Sequence, residues 1–242
     1  MTFYNLREAA ERLRRSISDS CGQNLIDIVS VDEPNSDDEL GFYKLVLWCY
    51  VFWYEACPPA GRHILSILRS NSPVEHKTAS STFTVVNYLR TRMAHNLGTS
   101  RGDQHKLTQA GIWLEQHGGQ EIDWAQCVAA LGDSMTVAVS ALSTQWELLM
   151  KSPEDAMTAV ERLLLEVHQD WPPHRFDPVI TEVAESMSLE GLDVVRFRQT
   201  RQEEWQKLAR LFISRPDAEV AIRRIIYSEM TRTFGPSIIH PA

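Results

Sequence analysis

Leu45-Val46-Leu47-Trp48-Cys49-Tyr50-Val51-Phe52-Trp53-Tyr54 is the most apolar stretch of this 242-residue chain. It is flanked by Lys44 and Glu55 and is ten residues long. A membrane-spanning helix needs about 20 apolar residues. The stretch therefore reads as a buried helix or as an oligomer surface. A helix over about Leu40 to Ala56 fits it, stopped by Pro58-Pro59.

Working outward, the pattern is helical nearly throughout, which predicts an all-α fold. Leu6, Ala9, Ala10, Leu13 and Ile17 share one face of a first helix over about Phe3 to Ser18. Asn24 to Val31 is a candidate short strand, followed by a solvated acidic loop from Val31 to Glu39. Beyond the prolines the spacing predicts helices at about Gly61 to Arg69, Ala79 to Leu97, Leu107 to His117 and Asp123 to Met150. Ser152-Pro153-Glu154-Asp155 is a helix start, with a capping serine, proline at the first position and acids at the positive end of the dipole. Trp171-Pro172-Pro173 breaks that helix, and Asp177-Pro178 opens another. Thr200-Arg201-Gln202-Glu203 has capping-box spacing ahead of Trp205 to Phe212, and Ser214 to Asp217 opens the last helix. Ser152 marks the expected boundary between residues 1–150 and a C-terminal helical region, 151–242. A single continuous helical domain is the alternative.

Lys and Arg number 24 against 32 Asp and Glu, a net charge of −8. This excludes a globally basic nucleic-acid coat and leaves room for a local basic site. Cys21, Cys49, Cys57 and Cys127 have no CxxC spacing and read as reduced, mostly buried thiols. No Cys/His cluster has zinc-ligand spacing, so neither a metal nor a cofactor is expected. The N-terminal helix carries charges throughout and lacks the apolar core of a signal peptide. A cytoplasmic location is expected, with no membrane association.

Four of the eight histidines (His63, His76, His95 and His105) fall between residues 58 and 107. Arg62, Arg69, Lys77, Arg90, Arg92, Arg101 and Lys106 lie there too, against only Glu75 and Asp103, a local +5. This balance fits an anion site; it also fits simple compensation of the acidic loop at 31–39. Within the window stands Asn87-Tyr88-Leu89-Arg90-Thr91-Arg92-Met93-Ala94-His95-Asn96-Leu97.

Here residues 1–150 resemble the HEPN superfamily of all-helical nucleotide-binding domains. Many of its members are metal-independent ribonucleases with an arginine four to six residues ahead of a histidine. Arg90 and His95 match the four-residue spacer. The family often has a polar residue such as Asn directly after the arginine, where this chain has Thr91; Arg92 is a second candidate arginine. The resemblance implies a HEPN-like bundle followed by extra C-terminal helices. It also implies an endoribonuclease with Arg90 and His95 catalytic, as a homodimer whose two motifs meet, of the kind used as toxin or defence effectors. Asn87, Arg92 and Asn96 are candidate RNA-binding residues, and the C-terminal helices are a candidate surface for a protein partner.

The residue types suit the reaction. Cleavage of RNA by its own 2′-hydroxyl requires a base, an acid and a cation for the phosphate charge. Histidine titrates near neutrality, and arginine holds phosphate oxygens with its planar fork. At about 100° per residue, Val86, Leu89, Met93 and Leu97 form an apolar stripe that includes Arg90, and His95 points about 140° away. Convergence then needs a long side chain, a distorted helix or a second protomer. Without it, Arg90 reads as an internal ion-pair residue and His95 as a surface residue. The rival function is a non-catalytic helical interaction or nucleotide-binding module within a larger assembly. Trp48, Phe52, Trp53 and Tyr54 could stack bases but have core spacing. His168 and His174 flank the Trp-Pro-Pro break and read as part of a structural turn. Arg196, Arg198 and Arg201, set against Glu203 and Glu204, read as a solvated face.

Overall fold

A computed structural model describes residues 2–94, 101–169, 171–212 and 215–235. The described residues are all-α, with no strand among them. The chain divides into two compact units, Met1–Leu163 and Leu164–Ala242.

The first unit is built on helix α1 (Thr2–Cys21), which packs along α6 (Trp124–Leu149). The apolar face of α1 is buried as its spacing predicts: Leu6, Ala9, Ala10, Leu13 and Ile17 all sit in the core. From α6 come Leu131, Met135, Val139, Leu142 and Trp146. Trp146 Nε1–H donates to Ser20 Oγ at 3.3 Å, and Arg12 holds the Glu147 carboxylate with two hydrogen bonds. By length and composition α6 would pass for a membrane span, but half of that apolar window is buried inside the protein.

Residues 24–31 form no strand. No second strand lies beside them among the described residues, and the segment is tied down otherwise. Ile26 is buried, and Asp27 N–H donates to the Ala56 carbonyl at 3.0 Å. Helix α2 (Glu39–Tyr50) starts on Asp38, whose carboxylate accepts from Gly41 N–H at 2.8 Å and from the Ser36 hydroxyl at 2.6 Å. Those bonds hold the Asp38 carboxyl below its usual range. A side chain at residue 41 is excluded, because a Cβ would sit 1.8 Å from the Ser36 carbonyl oxygen.

The apolar stretch does not continue as one α-helix. Val51–Ala56 is a π-helical turn, in which Cys57 N–H donates five residues back to the Phe52 carbonyl at 2.9 Å. Pro58 has no N–H with which to continue the α-helical ladder. The wider turn lets consecutive Phe52 and Trp53 both face the core, and Trp53 stacks on Phe83 with ring centroids 3.5 Å apart. The two prolines also begin the next helix, α3 (Pro58–Asn71), where proline at the first position loses no hydrogen bond.

Helix α4 (Pro73–Ala94) starts six residues before the expected Ala79, again with proline leading. Its early turns are rich in Ser and Thr, weak helix formers that compete for backbone bonds. Here that competition is absorbed within the helix: Thr78, Thr82, Thr84 and Thr91 each donate to the carbonyl four residues back. Helix α5 (Arg101–Gly118) also starts earlier than the expected Leu107. Asp123 caps α6, accepting from Gln126 N–H at 3.1 Å. Ser152 precedes α7 (Pro153–Gln169), within which the division between the units falls.

The second unit has a 3-10 turn (Pro173–Arg175) and helices α8 (Phe176–Ser186), α9 (Val194–Gln199), α10 (Gln202–Ala209) and α11 (Arg215–Phe234). Trp171, Phe176, Phe197 and Trp205 form a continuous aromatic core. The expected capping box at Thr200 does not form. Arg201 is the residue before α10 and makes no side-chain cap, because α9 ends on Thr200, whose hydroxyl donates to the Phe197 carbonyl at 3.3 Å. Two residues of the expected solvated arginine face are half-buried and paired. Arg198 pairs with Asp177. Arg201 pairs with Glu229 at 3.1 Å and lies over the Phe197 ring at 4.1 Å. Arg196 alone of the three is exposed.

Candidate functional site

Helix α4 carries the candidate site, and it runs antiparallel to α2 and its π-helical end. Tyr54 in the π turn donates its hydroxyl to the Phe83 carbonyl at 2.9 Å. Four residues back along α2 and further along α4, the Arg90 guanidinium lies over the Tyr50 ring, 4.9 Å from its centroid. Tyr50 in turn stacks on Tyr54, with centroids 4.8 Å apart. Burial, and then the neighbouring Tyr50 and Tyr88, push the Tyr54 hydroxyl up to about 12. It stays neutral at physiological pH and acts as a fixed donor. Tyr88 also meets the exposed His105 of α5 edge to face at 5.9 Å.

The motif residues separate around the helix. Arg90 is half-buried against α2. Thr91 is buried and its hydroxyl donates to the Asn87 carbonyl at 2.8 Å, so the position after the arginine faces the core rather than a ligand. Arg92 is exposed and reaches toward α5: a Cβ at Gly111 would lie 3.4 Å from its Nη1. Its charge also acts on Tyr43, where the stronger influence is the hydrogen bond to Glu39 that raises the phenol. Asn87 is half-buried between these two sides. His95 and Asn96 lie outside the described residues, as do the side chains of Arg101, His168 and His174.

The rest of the basic window is spread over α3, α4 and α5. His63 is buried in α3. His76 lies within 3.3 Å of the Ser80 hydroxyl. Trp48, Phe52 and Trp53 are core residues, so of the four aromatics with stacking potential only Tyr54 is partly accessible. The thiols are buried or half-buried, and burial raises them: Cys57 to about 12, Cys21 to about 11, Cys49 and Cys127 also upward. Thiols held protonated are poor nucleophiles and poor metal ligands.

The sequence pointed to Tyr54 as a stacking candidate but did not group it with Tyr50 and Tyr88. Tyr50 and Tyr54 have helical i,i+4 spacing, but only the pairing of α2 with α4 brings Tyr88 and Arg90 to them. The arrangement can offer a fixed guanidinium on an aromatic platform, with further aromatic rings and an imidazole nearby. Comparison of the chain with protein-family models, with curated proteins and with solved structures finds no match to any of them.

Proposed function

We propose that the first unit is a HEPN-like, metal-independent endoribonuclease in which Arg90 and His95 act on RNA phosphate, with a defence or toxin role. The observation that carries this reading is the Arg90 guanidinium fixed over Tyr50 beside Tyr54 and Tyr88. A planar cation on an aromatic platform suits a phosphate with a base stacked beside it. His95 follows Ala94 in the sequence and lies outside the described residues. Asn87, Arg92 and Asn96 complete the proposed RNA-binding set.

A homodimer belongs to this reading. Leu40, Tyr43 and Leu47 follow helical spacing along α2 and are 59%, 40% and 45% exposed. Tyr43 feels the charge of Arg92. A symmetric pair buries the same patch twice, and this apolar face would bring two motifs, and two +5 windows, together. RNA would relieve that repulsion, so the dimer tightens when RNA binds. Light scattering with and without RNA tests it; a protein that stays monomeric at micromolar concentration in both rejects the composite site.

The decisive assay is RNA cleavage in EDTA by the wild type and by His95→Ala. Cleavage is expected to leave 2′,3′-cyclic phosphate ends and to vanish in the variant while its circular dichroism is unchanged. Unchanged cleavage by the folded variant, or a strict magnesium requirement, overturns the assignment. The second reading, a non-catalytic interaction module, is favoured by the same Arg90–Tyr50 contact taken as internal packing. It predicts no cleavage by the wild type.

A further inference from the structure

A second feature of the first unit lies on the opposite half of α4, N-terminal to the motif. A pocket of about 800 Å³ opens between the early turns of α4, the middle of α5 and α6. Its walls are mainly apolar, with Val85, Trp113 and Leu131 among them. Lys77 is the one charged group among the described lining residues, and Ser81 and Ser134 supply hydroxyls. The Trp113 ring is held in place: it stacks on the buried Phe42 with centroids 6.0 Å apart and meets His117 at 4.4 Å. The indole wall is therefore preformed.

We infer that this pocket binds a small amphiphilic anion, a single carboxylate or sulfonate on an aryl or alkyl body. The size falls within the range of small-molecule sites, which combine apolar walls with few polar groups. The apolar walls take the body. One lysine matches one negative charge, and a compact ammonium on a flexible stem suits a monoanion better than the planar recognition that arginine provides. The two serine hydroxyls can donate to the same anionic head. Nucleic acid is a poor occupant here, because a single cation in an apolar pocket cannot neutralise a phosphate chain.

The test uses the full chain and two dyes of nearly the same aromatic shape. One, 8-anilino-1-naphthalenesulfonate, carries a sulfonate; the other, N-phenyl-1-naphthylamine, is neutral. Both are followed by fluorescence. The wild type is expected to bind the sulfonate dye more tightly. Lys77→Gln is expected to weaken it about threefold, as for a solvent-accessible ion pair, and to leave the neutral dye unchanged. Ser81→Glu, one turn along the exposed side of α4, places a carboxylate in the pocket and is expected to weaken the sulfonate dye further. Ser81→Trp fills the space and is expected to weaken both dyes. Decanoate, but not decanol at equal concentration, is expected to displace the sulfonate dye. The inference is overturned if neither dye binds, if Lys77→Gln affects both equally or neither, or if Ser81→Trp leaves both unchanged. These substitutions sit on an exposed helix face, and a circular dichroism spectrum verifies that each variant is folded.

Discussion

Single side chains in this protein are set by charged and aromatic partners, some on the same helix and some on another. Glu11 shows the electrostatic case. Its hydrogen bond to Arg14, with Arg15 adding to it, outweighs partial burial and lowers the carboxyl from 4.5 to about 2. A group depressed in the folded state stabilises it at pH values above the unfolded range, and that contribution is lost as the pH falls through the folded value. Glu11→Gln should therefore destabilise the protein most above pH 4.5, with the difference fading as the pH falls through about 2. The carboxylate remains partly solvated, so the loss at neutral pH should be about 1 kcal/mol or less. Urea midpoints across this pH range check it; a gap that widens on acidification contradicts the assignment. Arg90 shows the long-range case: its contact with the Tyr50 ring of another helix turns the motif arginine toward α2.

At the scale of elements, the junction between the π turn and α3 is tightly packed. A Cβ on Gly61 would lie 2.7 Å from the Trp53 ring and 2.8 Å from Cys57 Sγ. Trp53 is pinned by its stack on Phe83 and cannot retreat. Gly61→Ala should therefore lower the melting temperature, with overpacking of about 1–3 kcal/mol outweighing the gain in helix propensity. Gly111 in α5 is the internal control. A Cβ there meets only the flexible end of Arg92, at 3.4 Å. Gly111→Ala should raise stability by about 1 kcal/mol, the propensity difference alone. Equal effects of the two substitutions would mean that the Trp53–Phe83 stack does not hold the turn.

For the whole molecule, two cores imply two sets of stabilising contacts. Trp146 is fully buried in the first and Trp205 in the second. Removing a buried tryptophan costs about 3–5 kcal/mol. In a denaturant titration, Trp146→Ala should shift the transition of the first unit, and Trp205→Ala that of the second, each leaving the other in place. A single transition moved equally by both variants would show one cooperative unit instead. The same division bears on function, because the candidate site and the Lys77 pocket both belong to the first unit.

The helical class, the buried face of α1, the Asp123 start of α6 and the Ser152-Pro153 start of α7 were legible in the sequence. Each depends on one helix meeting solvent on one side, or on backbone groups within four residues of a capping side chain. The false strand at 24–31, the early start of α4 and the failed cap at Thr200 came from local rules competing on equal terms. Only the packed chain decided between them: Ile26 is buried without a strand partner, and Thr200 serves the helix behind it. The partners of Arg198, Arg201 and Arg90 are Asp177, Glu229 and Tyr50, lying 21, 28 and 40 residues away. Periodicity placed Arg90 in an apolar stripe without naming its partner, and it did not report that Arg198 and Arg201 are drawn inward while Arg196 is not. That choice depends on which helices cross, because burial of an arginine is tolerated only where another element brings a carboxylate or an aromatic face to it.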